Sequence, residues 1–295
     1  MKRILMIICI TLLAFFAKGF AEDIVPAKFY PVTEELTAGA STLYSKALKL
    51  DWNYSVYLPK VYNSEGNDKE YPVIYLLHGA NGNHTNMKER FDGPGIITRL
   101  IDEGIIEETI AVFVDGFNSY YFDGACFNME TALIEDLIPT LEANYRIKQD
   151  REYRKIGGIS MGGFGSARLA LKYPELFSGC MLLSPAIWES PDNDNVIVEK
   201  WNVFQGDGKN FSKSLYDSVH PRAYFESYKA SGYSVKFYIA AGDADTVVPI
   251  EETRKFALDL SEFADCEFKE AAGAGHNWIF WEAAFEDGLA CVLKK

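Results

Sequence analysis

Short unbroken apolar runs, separated by stretches of helical periodicity, restrict this chain more than any other feature. Val73 to Leu77 and Ile110 to Val114 are such runs, Cys180 to Leu183 is a shorter one, and Val235 to Ala241 reads as a further strand. A strand with no polar face cannot lie at a surface, so each must sit inside a sheet covered by helices on both sides. Asn53 to Leu58 alternates instead, as an early, edge-like strand would. Leu133, Ile134, Leu137, Ile138 and Leu141 form an apolar helical stripe that Pro139 should kink. Lys155-Ile156 leads into a glycine-rich turn, and Ala167 to Lys172 reads as a helix stopped by Pro174. A later helix carries Phe256, Leu260 and Phe263 on one face, and a last one Trp281 and Phe285. The expected class is therefore α/β, a mostly parallel central sheet with helices on both faces. With 48% hydrophobic and 14% aromatic residues in a chain of 295, the core is ample, which excludes a disordered or disulfide-stapled organisation.

Residues 1–21 have the pattern of a signal peptide and are set apart from the fold. Lys2 and Arg3 precede the apolar run Ile4 to Ala17, and Gly19-Phe20-Ala21 offers small residues before a cut at Glu22. That run is shorter than the roughly 20 residues a spanning helix needs. A secreted or periplasmic protein with no membrane attachment after cleavage is expected. The net charge of −13 grows more negative on cleavage, because Lys2, Arg3 and Lys18 leave and no acid does. Such a field repels polyanions, so nucleic acid is not an expected partner. Cys126, Cys180, Cys266 and Cys291 remain and allow three pairings if oxidised, although Cys180 reads equally well as a small core residue. The rest, residues 22–295, reads as one domain. Between about 186 and 232 periodicity fades, and Trp188, Trp201, Phe204, Tyr216 and Tyr224 are scattered among polar residues. An insertion beside a functional site is expected there.

The chemistry centres on Gly158-Ile159-Ser160-Met161-Gly162, which follows an expected strand and precedes an expected helix. In that setting the glycines permit a turn so tight that the serine is thrust out on a strained backbone, the geometry of a nucleophile elbow. A serine that merely caps the helix would read the same way locally. A hydroxyl needs a base, and there are four histidines. His78, at the end of a buried strand, suits a loop-shaping role, and His84 and His220 suit solvated or locally bonded ones. His276, in the glycine-flanked loop Gly273 to Trp278 before the last helix, is the expected base. Its imidazole needs a carboxylate, and both Asp243 and Asp245 follow the strand Val235 to Ala241. An acyl-transfer site also needs oxyanion donors. The backbone amide of Met161 is one candidate, and that of Ala80, in the loop Leu77 to Gly82, is the other. No metal or organic cofactor is expected, since no cluster of His, Cys and Asp has ligand spacing.

These residues together resemble the esterase D and feruloyl esterase group of α/β-hydrolases, which includes tributyrin esterases, S-formylglutathione hydrolases and mycolyltransferase antigens. The resemblance runs from about Asn53 onward. It is carried by Tyr75 to Gly79 with Gly82-Asn83-His84, by the block Glu130 to Tyr145, by Gly158 to Gly163, by Tyr173-Pro174-Glu175-Leu176-Phe177 and by Gly275-His276-Asn277-Trp278. It implies an α/β-hydrolase fold with Ser160, Asp245 and His276 as catalytic residues. Asp245 is favoured because the acid of that group stands three residues after a strand-ending glycine, here Gly242. Ala80 and Met161 are implied as oxyanion donors. Where many relatives carry a tryptophan after the His-Gly loop, this chain has Thr85-Asn86-Met87. Asn118 to Gly124 resembles the group's active-site wall, which nominates Tyr120 and Asp123 for substrate contact, with Trp188 from the insertion. The implied activity is serine carboxylesterase action through an acyl-enzyme. With export, feruloyl or acetyl esters of plant polysaccharide or their oligosaccharides are the expected substrates. An acyltransferase of the mycolyltransferase kind would use the same acyl-enzyme. An S-formylglutathione hydrolase would share the triad, but export argues against it. A non-catalytic binding protein would leave the triad idle.

Overall fold

The structure is a computed structural model that describes residues 39–191, 202–205 and 210–294. Its centre is one eight-stranded sheet. The strands are β1 (Gly39–Ser45), β2 (Leu50–Tyr57), β3 (Val73–Leu77), β4 (Ile110–Val114), β5 (Arg154–Ile159), β6 (Gly179–Leu183), β7 (Lys236–Gly242) and β8 (Asp265–Ala271). They lie in the order β1-β2-β4-β3-β5-β6-β7-β8. The β1–β2 and β2–β4 pairs are antiparallel and the others parallel. Every residue of β3 and β4 is buried, because alternate side chains serve different cores. Val73, Tyr75 and Leu77 pack on one face of the sheet, and Ile74 and Leu76 on the other.

Parallel neighbours require crossovers, and the helices that make them cover both faces. In chain order they are α1 (Asn86–Phe91), α2 (Gly93–Asp102), α3 (Met129–Thr131), α4 (Ile138–Asn144), α5 (Met161–Lys172), α6 (Lys213–Val219), α7 (Phe225–Ser231), α8 (Ile250–Ser261) and α9 (Trp278–Leu293). Leu169, Leu171, Phe256 and Leu260 of α5 and α8 join the core containing Tyr75. Ile97, Leu100, Phe285 and Leu289 of α2 and α9 join the one containing Ile74. Among the described residues no helix is long and apolar enough to cross a membrane.

Several sequence expectations change in the structure. The kink expected at Pro139 takes the form of a widened π turn, Ala132–Leu137, joining α3 to α4. Pro139 then falls in the first turn of α4, where a missing N–H costs little. Gly157 and Gly158 belong to β5 rather than to the turn. The described residues of the stretch read as irregular include α6, α7 and two short 3-10 segments, Asn202–Phe204 and Pro221–Tyr224. Its buried Phe204 and Tyr216 pack with ring centroids 5.1 Å apart. Trp201 and residues 1–21, expected to be a signal peptide, lie outside the described residues. Cys126, Cys180, Cys266 and Cys291 are all free thiols, with Cys180 buried in β6.

Candidate active site

Between the end of β5 at Ile159 and the start of α5 at Met161, a single residue, Ser160, turns the chain. Its φ of 55° and ψ of −114° lie outside the regions an L-residue favours, a strain of about 1–3 kcal/mol. The turn closes because its neighbours lack side chains. A Cβ on Gly162 would stand 2.0 Å from the Leu77 carbonyl oxygen, and one on Gly158 would stand 2.4 Å from the backbone of Gly162. The Ser160 amide donates to the Leu183 carbonyl (2.9 Å), and its carbonyl accepts from the amides of Phe164 and Ala186 (3.0 and 2.9 Å), which holds the strained conformation. The side chain does not cap α5. Its Oγ instead lies 2.9 Å from His276 Nε2.

His276 sits in the loop between β8 and α9, and the next residue, Asn277, caps α9 by accepting from the Phe280 amide at 3.1 Å. The imidazole Nδ1–H donates to Asp245 Oδ2 at 2.7 Å. The other oxygen of Asp245 accepts from the amides of Val247 and Val248, at 2.8 and 2.9 Å. A carboxylate only accepts, so Nδ1 carries the proton and Nε2 keeps a lone pair facing Ser160. Burial pushes the Asp245 carboxyl up, but the His276 bond and the two amides outweigh it and hold the group below its ordinary value. Asp243 is placed differently. It accepts from the Gly273 amide at 2.6 Å and pins that loop, away from the imidazole.

Ser160 and His276 line a cleft of about 340 Å³ with Ala80, Tyr120, Trp188, Trp278 and Trp281 among its walls. Met161 is the first residue of α5, so its N–H has no acceptor within the helix. The Ala80 loop is organised by His78, whose Nδ1–H donates to the Gly79 carbonyl (2.6 Å) and whose Nε2 accepts from the Gly116 amide (2.8 Å). Tyr120 is almost wholly buried and adopts a left-handed φ of 52°. Trp188 is clamped by Tyr216, whose hydroxyl donates to the Trp188 carbonyl (2.7 Å) and accepts from its amide (3.1 Å). Asp123 is not brought to the cleft. Its exposed carboxylate accepts from the amide and hydroxyl of Thr131 (3.0 and 2.6 Å). His84 and His220 are buried rather than solvated. His84 pairs with Ser55 Oγ at 2.7 Å, and His220 Nδ1 accepts from the Arg222 amide at 3.3 Å. Burial pushes the His84 pKa down and carries that of His220 to about 4. Sequence reasoning gave no site role to Arg90, Asn86, Trp278 or Trp281. Trp281 stands edge-on to the His276 ring at 5.0 Å and anchors its indole on Ser184 Oγ at 3.1 Å. Its place one turn into the helix after the histidine loop is the signal that could have found it.

A largely parallel sheet that sets a serine on a strand-to-helix turn, an acid after β7 and a histidine after β8 has the architecture of an α/β-hydrolase. The model of the Esterase family matches residues 45–291, and the chain belongs to that family. It is 29% identical over 234 residues to an endo-1,4-beta-xylanase/feruloyl esterase of Xylanibacter ruminicola, across 75% of this chain and 31% of that protein. The chain thus spans about a third of the length of that relative. An acetyl esterase of Caldicellulosiruptor saccharolyticus is 28% identical over 267 residues, across 85% of this chain and 96% of its own. Among solved structures, a ferulic acid esterase superposes with a TM-score of 0.73 at 28% identity, over 87% of this chain and 97% of that one.

Proposed function

We propose that this protein is an exported serine carboxylesterase that removes feruloyl or acetyl groups from plant polysaccharides or their oligosaccharides. The observation that carries the reading is the unbroken hydrogen-bond chain from Asp245 through His276 to a Ser160 held on a strained turn. In this reading Ser160 Oγ attacks the ester carbonyl as its proton passes to His276 Nε2. Asp245 steadies the imidazolium, and the amides of Ala80 and Met161 hold the oxyanion, each worth roughly 10²–10³ in rate. Collapse breaks the C–O bond, His276 protonates the departing alcohol, and water repeats the sequence on the acyl-enzyme. No metal or organic cofactor takes part. A cleft of about 340 Å³ with Tyr120, Trp188 and Trp278 in its walls suits a planar aromatic acyl group or a sugar ring. The similarity to the Xylanibacter feruloyl esterase and the Caldicellulosiruptor acetyl esterase supports the two acyl groups. Residues 1–21 act as the export signal, and residues 186–232 form an insertion that builds the Trp188 wall of one catalytic domain.

The test is turnover of methyl ferulate and acetylated xylan by the wild type and by Ser160→Ala. Hydrolysis of at least one substrate, abolished in the variant, is expected. A folded wild type that cleaves neither ester, or a Ser160→Ala protein that still turns over, would overturn the reading.

A further inference from the structure

The cleft differs in charge from the rest of the molecule. The chain has 42 acidic residues against 29 basic ones, yet among the described residues no Asp or Glu lines the cleft. The carboxylate of Asp245 is enclosed, with its side chain fully buried behind His276. Arg90, in the last turn of α1, is the one lining side chain among the described residues that is always charged. Every other described arginine is engaged. Arg99, Arg154, Arg168, Arg222 and Arg254 pair with carboxylates. Arg146 and Arg151 donate to backbone carbonyls. Arg90 is exposed, and its guanidinium meets only the Trp278 indole, 5.8 Å from the ring centroid, with no acidic partner among the described residues.

Its surroundings supply donors rather than acceptors. Asn86 Oδ1 is occupied by the Asn83 amide (3.0 Å), and Asn81 Oδ1 by the Asn118 side chain (3.1 Å), so both cleft-lining amides offer their NH2 groups. Trp278 stands edge-on to Trp281 at 4.9 Å, and Trp281 stands against the His276 ring. An aromatic wall therefore joins this cluster of donors to His276. A planar group with two acceptor oxygens matches a guanidinium fork better than any neutral group does.

We propose that Arg90, assisted by Asn81 and Asn86, receives a carboxylate carried by the ester, making anionic esters the preferred substrates. The proposal rests on the reading of Ser160 as nucleophile. The carboxylate has two sources. It is on the acyl side in a half-ester of a dicarboxylic acid, and on the alcohol side in an acylated uronic acid.

Two matched pairs separate them: 4-nitrophenyl succinate against 4-nitrophenyl butyrate, and an acetylated methyl glucuronide against the acetylated methyl glucoside. In Arg90→Gln the anionic-to-neutral ratio of kcat/KM should fall about three- to tenfold for the pair whose charge meets Arg90. Arg90→Lys should restore part of it, and added salt should erode the wild-type ratio. The proposal is overturned if neither ratio changes in Arg90→Gln, or if both members of each pair fall together. Fluorophosphonate labelling of each variant shows that the site is folded. A wild type that is neither labelled nor active on any of the four esters would remove the reading of Ser160 rather than the assignment of Arg90.

Discussion

Replacing Asp245 with Asn keeps the side chain's shape and exchanges one carboxylate oxygen for NH2. The amides of Val247 and Val248 both point at Oδ1, so the remaining oxygen stays with them and the NH2 turns to His276 Nδ1. An NH2 group only donates, so Nδ1 must present its lone pair and the ring proton moves to Nε2. There it faces Ser160 Oγ as a donor and cannot accept the hydroxyl proton. The expected loss in kcat is about 10⁴, or about 5.5 kcal/mol of barrier. Folding should lose only about 1–3 kcal/mol, the value of weakened charged hydrogen bonds. Asp243→Asn is the control. It keeps an oxygen for the Gly273 amide at an exposed position and should shift the barrier by no more than about 0.5 kcal/mol. Initial rates on 4-nitrophenyl acetate, normalised by active-site titration, provide the assay. If Asp245→Asn retains a tenth of wild-type kcat, or if Asp243→Asn loses more than it does, the assignment is refuted.

Three further outcomes follow from the packing. Gly162→Ala places a methyl 2.0 and 2.5 Å from the Leu77 carbonyl oxygen and carbon. Both are backbone atoms that cannot swing aside, so a loss of about 3 kcal/mol or more is expected in urea unfolding, and an unchanged midpoint would contradict the close approach. Tyr216→Phe strips the buried Trp188 carbonyl and amide of their partner. It should cost about 1–3 kcal/mol and raise KM for aromatic esters more than it lowers kcat, whereas equal kinetics on all esters would separate Trp188 from the substrate. The buried Glu130 pairs with the buried Arg168 and with Lys172 and Tyr173, which are partly exposed. Burial pushes its carboxyl up, but those partners outweigh it and hold the pKa below the ordinary value. A depressed carboxyl stabilises the fold fully above its unfolded value and ceases to do so as pH falls through its folded value. Glu130→Gln should therefore unfold about 3–5 kcal/mol more easily at neutral pH, with a gap that narrows below about pH 4. A gap independent of pH would contradict the ionised network.

How far the fold could be read from sequence depended on burial. The apolar runs Val73 to Leu77 and Ile110 to Val114 coincide with β3 and β4 because both faces of those strands are covered. The edge strand β8 escaped notice because Asp265, Glu267, Lys269 and Glu270 give it a charged surface, as an edge that must resist pairing requires. The π turn before Pro139 could not be read from a stripe judged by 3.6-residue spacing, and α6 and α7 are too short to show a period. At the site, the glycines flanking Ser160 mark a close approach of backbones, and Gly273 before His276 takes a left-handed φ of 70°, so both left a trace in sequence. A solitary exposed arginine on the short helix α1 leaves none. Choosing between Asp243 and Asp245 required a family spacing, since two aspartates in one turn are alike until one of them meets an imidazole.

The most direct test is peptide mapping of the protein after reaction with a fluorophosphonate. One adduct per chain is expected on the peptide carrying Ser160, with esterase activity lost in proportion and no adduct on Ser160→Ala. Activity that survives full modification of Ser160, or is lost with the adduct on another residue, would contradict the assignment of Ser160 as nucleophile.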